Sequence, residues 1–320
     1  MRKLLKILLP ILAFALLVFA FLNRVIISDY FKGFSYKPSA EMSEVRDALE
    51  LTPRATLIFN AVHPVLDSRD DFNSHCSSND AEVSVLGCFT SDTVYVYNIE
   101  SSELAGIRES TAAHEFLHAV WSRLSGVEKS KLIPLLESAY QANESALKDT
   151  IESYAESERI DELYVRLATQ IRNLSPELET HYAEYFTDQD TIVAYYESYV
   201  APFEKLRSDI EAQAAQLEVM RADIDALTSS YETRSSDYSA AVIEFNRCAN
   251  TLNCFSSEWL FNNRRAELVA EGNALEATYN ELNTKIDTYN QLVEAHNANV
   301  FHSSSLQNVI NSNAKPESLE

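Results

Sequence analysis

The chain has 320 residues, 46% of them apolar, which suits one or two packed domains and argues against a disordered polymer. Its formal charge of −22 speaks against a broad basic surface for nucleic acid and reads as a solvated acidic exterior. Only 5 glycines and 8 prolines interrupt it, which points to long helices.

Arg2, Lys3 and Lys6 precede an apolar run over residues 7–22, which Val25, Ile26 and Ile27 extend beyond Asn23 and Arg24. About 20 apolar residues span a bilayer, and basic residues ahead of such a run keep the N-terminus cytoplasmic. No clear small-residue cleavage site follows. Residues 1–27 are therefore expected to form an uncleaved signal anchor, a single transmembrane helix at the cell membrane with the rest of the chain extracytoplasmic; a cleaved signal peptide is the alternative. The four cysteines, Cys76, Cys88, Cys248 and Cys254, lie as two local pairs without zinc-site spacing. Disulfides Cys76–Cys88 and Cys248–Cys254 are the simplest of three connectivities, and disulfides suit an exported protein.

Residues 28–54 read as a linker and a helix at 40–51 that Pro53 stops. Residues 55–60 read as a strand, and 67–80 as loop with a short helical piece. A second strand candidate at 81–89 holds Cys88, and a turn follows at Ser91-Asp92. Residues 93–99 are β-branched and aromatic and make the strongest strand. It is expected either as a central strand or as a free edge for an extended peptide. A helix over 107–124 is apolar on most sides and should be buried, with Gly126 as its C-terminal cap. Residues 128–170 read as helical in two parts that meet near Ala142-Asn143, and Ser175-Pro176 as a new helix start.

Beyond residue 188 apolar side chains recur every seven positions, from Phe203 through Ile210, Leu217 and Ile224 to Phe245. A second heptad run holds Leu268, Leu275, Leu282 and Tyr289. This predicts an antiparallel coiled-coil hairpin with Cys248–Cys254 at its tip. Residues 302–320 are rich in Ser, Asn and Glu and read as a disordered tail.

The chemistry concentrates in His114-Glu115-Phe116-Leu117-His118. Two histidines four apart on a helix share one face, so both imidazoles can bind one Zn²⁺. Glu115 stands where a carboxylate can reach a metal-bound water as general base. Catalytic zinc takes three protein ligands, and no third histidine follows His118 at the extended spacing. A later glutamate is the remaining common solution. Glu162 is favoured because the stretch after it is largely apolar and a lone buried carboxylate there would be costly; Glu158, one turn earlier, is the alternative.

This constellation resembles the gluzincin class of zinc metallopeptidases over roughly residues 55–186. Together with Gly87-Cys88-Phe89, residues 94–98, Asp161-Glu162-Leu163 and residues 182–186, it also resembles uncharacterised membrane-anchored bacterial proteins of that class. The Asn-Glu-x-x-Ser-Asp segment of thermolysin is missing, and Asp161-Glu162 stands in its place. The resemblance implies peptide-bond hydrolysis, with zinc on His114, His118 and Glu162 and Glu115 moving the proton. His181, Tyr182 and Tyr185, downstream of the third ligand, are the catalytic candidates for stabilising the oxyanion.

The expected fold class is α+β and mostly helical: a small zincin-like sheet with active-site helices, then the coiled-coil hairpin, behind an N-terminal transmembrane helix. The expected segments are the anchor 1–27, a linker and helix 28–54, a catalytic domain 55–186, the hairpin 187–301 and the tail 302–320. The expected function is a membrane-anchored zinc metallopeptidase acting on a peptide or protein, with the hairpin as a candidate surface for a protein partner. The alternative is a non-enzymatic cell-surface interaction protein with a structural or degenerate zinc site.

Overall fold

The computed structural model describes residues 12, 14–76, 85–90 and 92–313. The expected basic leader at Arg2, Lys3 and Lys6, Ser91 of the turn, and the end of the expected tail lie outside them, as does most of the first part of the strand candidate at 81–89. The chain divides into two compact units, Met1–Phe203 with Leu306–Glu320, and Glu204–Ser305.

The first unit is mostly helical. It begins with α1 (Phe14–Leu22) and α2 (Arg24–Ser35), which meet at a bend of 72°. Among the described residues no single helix is long and apolar enough to cross a membrane; the bent pair passes on length and composition only. The linker expected from residue 28 is thus largely helix. Asp29 of α2 is buried and forms a two-pronged ion pair with Arg123, Nε to Oδ2 and Nη2 to Oδ1 both at 3.0 Å.

Next come α3 (Ala40–Ala48) and α4 (Pro53–Ala61). The α4 segment corrects the strand expected at 55–60. Thr52 caps it by accepting from the Ala55 amide at 3.2 Å, and Pro53 sits at its first turn, where a missing N–H costs nothing. These start signals outweigh the β preference of Thr56 and Ile58. Pro53 therefore opens a helix instead of closing one.

The sheet is small: β1 (Val65–Asp67), β2 (Gly87–Thr90) and β3 (Thr93–Tyr97), in the order β1-β3-β2. The strand at 93–97 is central, parallel to β1 and antiparallel to β2, so it offers no free edge. β1 lies just ahead of the expected loop at 67–80, and α5 (Arg69–His75) is the short helical piece within that stretch. The β2–β3 connection uses Asp92 at φ +67°, a backbone region that aspartate tolerates better than most residues.

Against the sheet lies α6 (Ile107–Arg123). Its Ala112, Ala113, Phe116, Leu117 and Val120 are buried with Val94 and Val96 of β3 in one core. Gly106 starts α6 at φ +93°, and a Cβ there would stand 2.6 Å from the Tyr195 carbonyl oxygen, so only glycine fits. Gly126 does not cap α6. It opens α7 (Gly126–Ala142) behind a Ser125/Glu128 capping box. Then follow α8 (Glu144–Ser153), α9 (Arg159–Gln170) and α10 (Pro176–Tyr182). α9 packs on α6 through a face that includes Leu163, Tyr164 and Leu167.

Two long helices, α11 (Gln189–Ala249) and α12 (Glu258–Ile310), make up the second unit and extend beyond it in sequence. Within that unit Asp223 pairs with Lys285 at 2.5 Å, Tyr231 meets Tyr279 at 6.0 Å between rings, and Arg234 pairs with Glu271 at 2.9 Å. Partner numbers fall as α11 numbers rise, which is the antiparallel hairpin. Leu268, Leu275 and Leu282 of the heptad run are buried in it. α12 continues to Ile310, so residues 302–310 are helix, not tail. Both local disulfides are formed, Cys76–Cys88 and Cys248–Cys254.

Candidate metal centre

α6 carries His114 and His118 one turn apart, and α9 brings Glu162 across to them. His114 Nε2 and His118 Nε2 are 3.3 Å apart. Glu162 Oε1 lies 3.5 Å from the first and Oε2 3.4 Å from the second. A metal held tetrahedrally at about 2.0–2.1 Å separates its ligands by about 3.3–3.5 Å; with one ligand atom from each residue, this group lies within 4.8 Å, close enough to converge on one ion. Among the described residues these three form the group that could hold a metal. Glu158 is exposed at the start of α9 and is not in it.

The residues around the triad hold it in shape. Asp161 Oδ1 lies 2.8 Å from His118 Nδ1, which fixes the ring and leaves Nε2 for a metal. Glu162 is 4% exposed, and its Oε1 has no hydrogen-bond partner although Arg166 Nε balances its charge at 2.5 Å. A buried carboxylate facing two imidazoles, with the Arg166 guanidinium already on one oxygen, is a donor group that a bound cation would complete.

The titration pattern follows from burial and neighbours. Burial pushes His114 down to about 3, against the pull of the Glu162 charge. Burial also disfavours the charged form of His118, but hydrogen bonds to Asp161 and Glu162 prevail and lift it to about 10. Burial alone would raise Glu162; the imidazoles of His114 and His118 and the Arg166 guanidinium overcome it and hold the carboxyl at about 2. Glu162 is thus ionised and His114 presents a free lone pair, while His118 holds a proton that a metal would displace on binding.

Glu115 faces a cavity of about 170 Å³ that His114, Thr111 and Arg166 also line. Gly87 of β2 forms part of the wall. A Cβ there would stand 2.6 Å from Glu115 Cγ and 2.7 Å from Thr111 Cγ2, so the bare backbone of β2 lies directly on the carboxylate. The disulfide at Cys88 ties this strand to the end of α5. Tyr196 and Tyr199, from the first turns of α11, line the same cavity. Burial raises the Tyr199 hydroxyl well above its ordinary range, so it stays a proton donor.

His181, Tyr182 and Tyr185 are not among the residues lining this cavity. They belong to an aromatic cluster around Tyr164. His181 Nε2 lies 3.0 Å from the Tyr164 hydroxyl, and the Tyr182 hydroxyl donates to the Tyr164 carbonyl at 2.8 Å. The sequence reading missed Gly87, Arg166, Tyr196 and Tyr199 as site residues, and Asp161 as the partner of His118. Arg166, four residues after Glu162, was findable from helical spacing. Tyr196 and Tyr199 carry no local signal, because a contact far along the chain brings them in.

No protein-family model, curated protein or solved structure matches this chain.

Proposed function

We propose that this chain is a membrane-anchored, extracytoplasmic zinc metallopeptidase of the gluzincin type. The observation that carries this is the carboxylate of Glu115 in one cavity with His114, which together with His118 and Glu162 forms a group that could hold a metal ion. A purely structural metal site has no use for a second, non-ligating carboxylate at that place. The two disulfides and the apolar N-terminal segment support export and anchoring.

Zinc, when bound, supplies a Lewis acid that polarises the scissile carbonyl and makes water acidic enough to attack at neutral pH. Glu115 then accepts the proton of the attacking water and passes it to the leaving amine. Asp161 keeps His118 oriented through the cycle, and Arg166 steadies the Glu162 carboxylate. The oxyanion donor is assigned to Tyr196 or Tyr199 in place of His181, Tyr182 and Tyr185, since these two hydroxyl-bearing side chains border the cavity. An extended peptide would lie along β2, the outer strand beside Glu115, instead of the central β3.

The test uses the full chain in detergent. Metal content is measured by mass spectrometry, and cleavage of an unfolded protein such as casein is compared between wild type and Glu115→Gln. The expected outcome is one zinc per chain in both and a loss of cleavage in the variant of about 10²–10⁴-fold or more. Zinc in both forms with no cleavage in either would instead make the chain a binding protein with a structural site.

A further inference from the structure

One side of α2 is locked to the body of the first unit. Asp29 holds Arg123 of α6 through both carboxylate oxygens, and Lys32 pairs with Asp92 of the β2–β3 connection. A Cβ on Gly33 would stand 3.3 Å from the Leu57 carbonyl oxygen and from Asn60 Cβ, so α2 lies close on α4. Tyr36, just past the helix, donates to the Pro64 carbonyl at 2.5 Å and stacks on His63. A helix gripped in this way is not the second half of a broken membrane span, because lipid cannot surround it.

Another side of α2 is apolar and bare. Ile26, Tyr30 and Phe34 follow at four-residue spacing and are 60%, 59% and 83% exposed, and Phe31 beside them is 70% exposed. The neighbouring helix shows what covers them. Every residue of α1 is apolar and exposed, as suits a helix in lipid. Only Asn23 separates α1 from α2, and the two meet at 72°. With α1 near the bilayer normal, that bend lays α2 close to the bilayer plane.

We propose that α2 lies in the interface of the bilayer that α1 enters, with Ile26, Tyr30, Phe31 and Phe34 among the lipids and Asp29 and Gly33 toward α6 and α4. This rests on the membrane anchoring proposed above and not on the peptidase chemistry. An in-plane helix of this kind buries its apolar side about 5–10 Å into the boundary between headgroups and acyl chains. Tyr30 suits such a boundary, with an apolar ring and a polar tip. The arrangement also sets where the candidate metal group stands. Glu115 precedes Arg123 by eight residues on α6, about 12 Å along the axis, so the helix that carries the site is held at the membrane by its other end.

The four cysteines are all in disulfides, so single cysteines can be introduced and labelled with a nitroxide. The variants are Leu17→Cys on α1, Tyr30→Cys and Phe34→Cys on the apolar side of α2, and Ser28→Cys on its polar side; all four positions are exposed, so the fold tolerates them. Each full chain is placed in phosphatidylcholine vesicles, and electron paramagnetic resonance compares collisions with oxygen, which enters lipid, and with a water-soluble nickel chelate. The expected result is oxygen-dominated collision at Leu17, Tyr30 and Phe34 and nickel-dominated collision at Ser28, with the two α2 labels about 5–10 Å deep. If Leu17 lies in lipid while Tyr30 and Phe34 meet nickel as freely as Ser28, the anchoring stands and the in-plane helix is overturned. If Ser28 is as deep as Tyr30 and Phe34, α2 is part of the span and the proposal is again overturned. A Leu17 label in water would overturn the anchoring and the in-plane helix together. Labels at Tyr30 and Phe34 shielded from both reagents, with dipolar broadening that unlabelled chain dilutes away, would give the face to a second copy instead.

Discussion

Where α6 meets α9, carboxylates and imidazoles face one another in the interior: Glu162 is 4% exposed and Glu115 6%. Where α11 meets α12, the polar pairs sit at the flanks; the side chains of Arg234 and Glu271 are 38% and 41% exposed. Both are helix pairs joined by apolar packing. The first accepts a desolvation cost that leucines would have avoided, and the second does not. Buried polar groups with incomplete partners tend to mark chemistry, whereas flanking ion pairs mark register. The contrast predicts that small changes in the first pair alter activity and metal affinity, while similar changes in the second alter almost nothing.

Apart from Glu115 itself, the largest effect is expected from Gly87→Ala. The new methyl would meet Glu115 Cγ and Thr111 Cγ2 at 2.6 and 2.7 Å, so the Glu115 side chain would have to shift into the cavity it lines. Displacing a catalytic carboxylate by a fraction of an ångström costs on the order of 10²-fold in kcat/KM. Zinc content should stay at one per chain, since Gly87 is not a ligand. Gly126→Ala is the control: nothing lies within 4 Å of the added carbon, so peptidase activity should be unchanged.

Asp161→Asn comes next. The amide keeps the shape but weakens the hold on His118 Nδ1 at 2.8 Å. Loss of such a supporting partner lowers metal affinity by about 10–100-fold. Competition with a chromophoric chelator measures it. An unchanged affinity would mean that Asp161 serves packing alone.

These residues also show what a single sequence can and cannot reveal. The His114–His118 spacing places both rings on one helical face, a local property that spacing alone dictates. Glu162 was legible because a carboxylate followed by Leu163 and Val165 needs a reason to be buried. α4 was misread, because a cap at Thr52 and Pro53 decided a segment whose composition favoured a strand. β1 was missed, because three residues pair with a strand about thirty positions later. Gly87 and Tyr199 reach the cavity through contacts that no local pattern encodes.

Metal removal gives a prediction with a sign. His114 has a folded pKa below its ordinary value, so its contribution is present above about pH 6.5 and is lost as pH falls toward about 3. Glu162, also depressed, loses its contribution as pH falls through about 2. His118 is raised to about 10, so its contribution is complete below about pH 6.5 and is lost as pH rises from there through about 10. The chelator-treated chain should therefore be most stable near pH 6–7 and lose Tm on both sides. Asp161→Asn should flatten the alkaline limb and leave the acid limb in place, as differential scanning fluorimetry would show.

The smallest effect is expected in the hairpin. Arg234→Ala removes the ion pair to Glu271 at 2.9 Å, an interaction of two half-exposed side chains. Such pairs contribute about 0–1 kcal/mol, and added salt screens them further. Tm should move by no more than a few degrees and zinc content not at all. The contrast with Asp161 is the point of the measurement. Both substitutions delete one charge from a pair near 3 Å between packed helices, yet one partner is a half-exposed carboxylate and the other an imidazole of the candidate metal group, 19% exposed. If Arg234→Ala destabilised the chain as much as Asp161→Asn weakened the metal site, distance would outweigh burial, and the reasoning that singles out α6 and α9 would lose its basis.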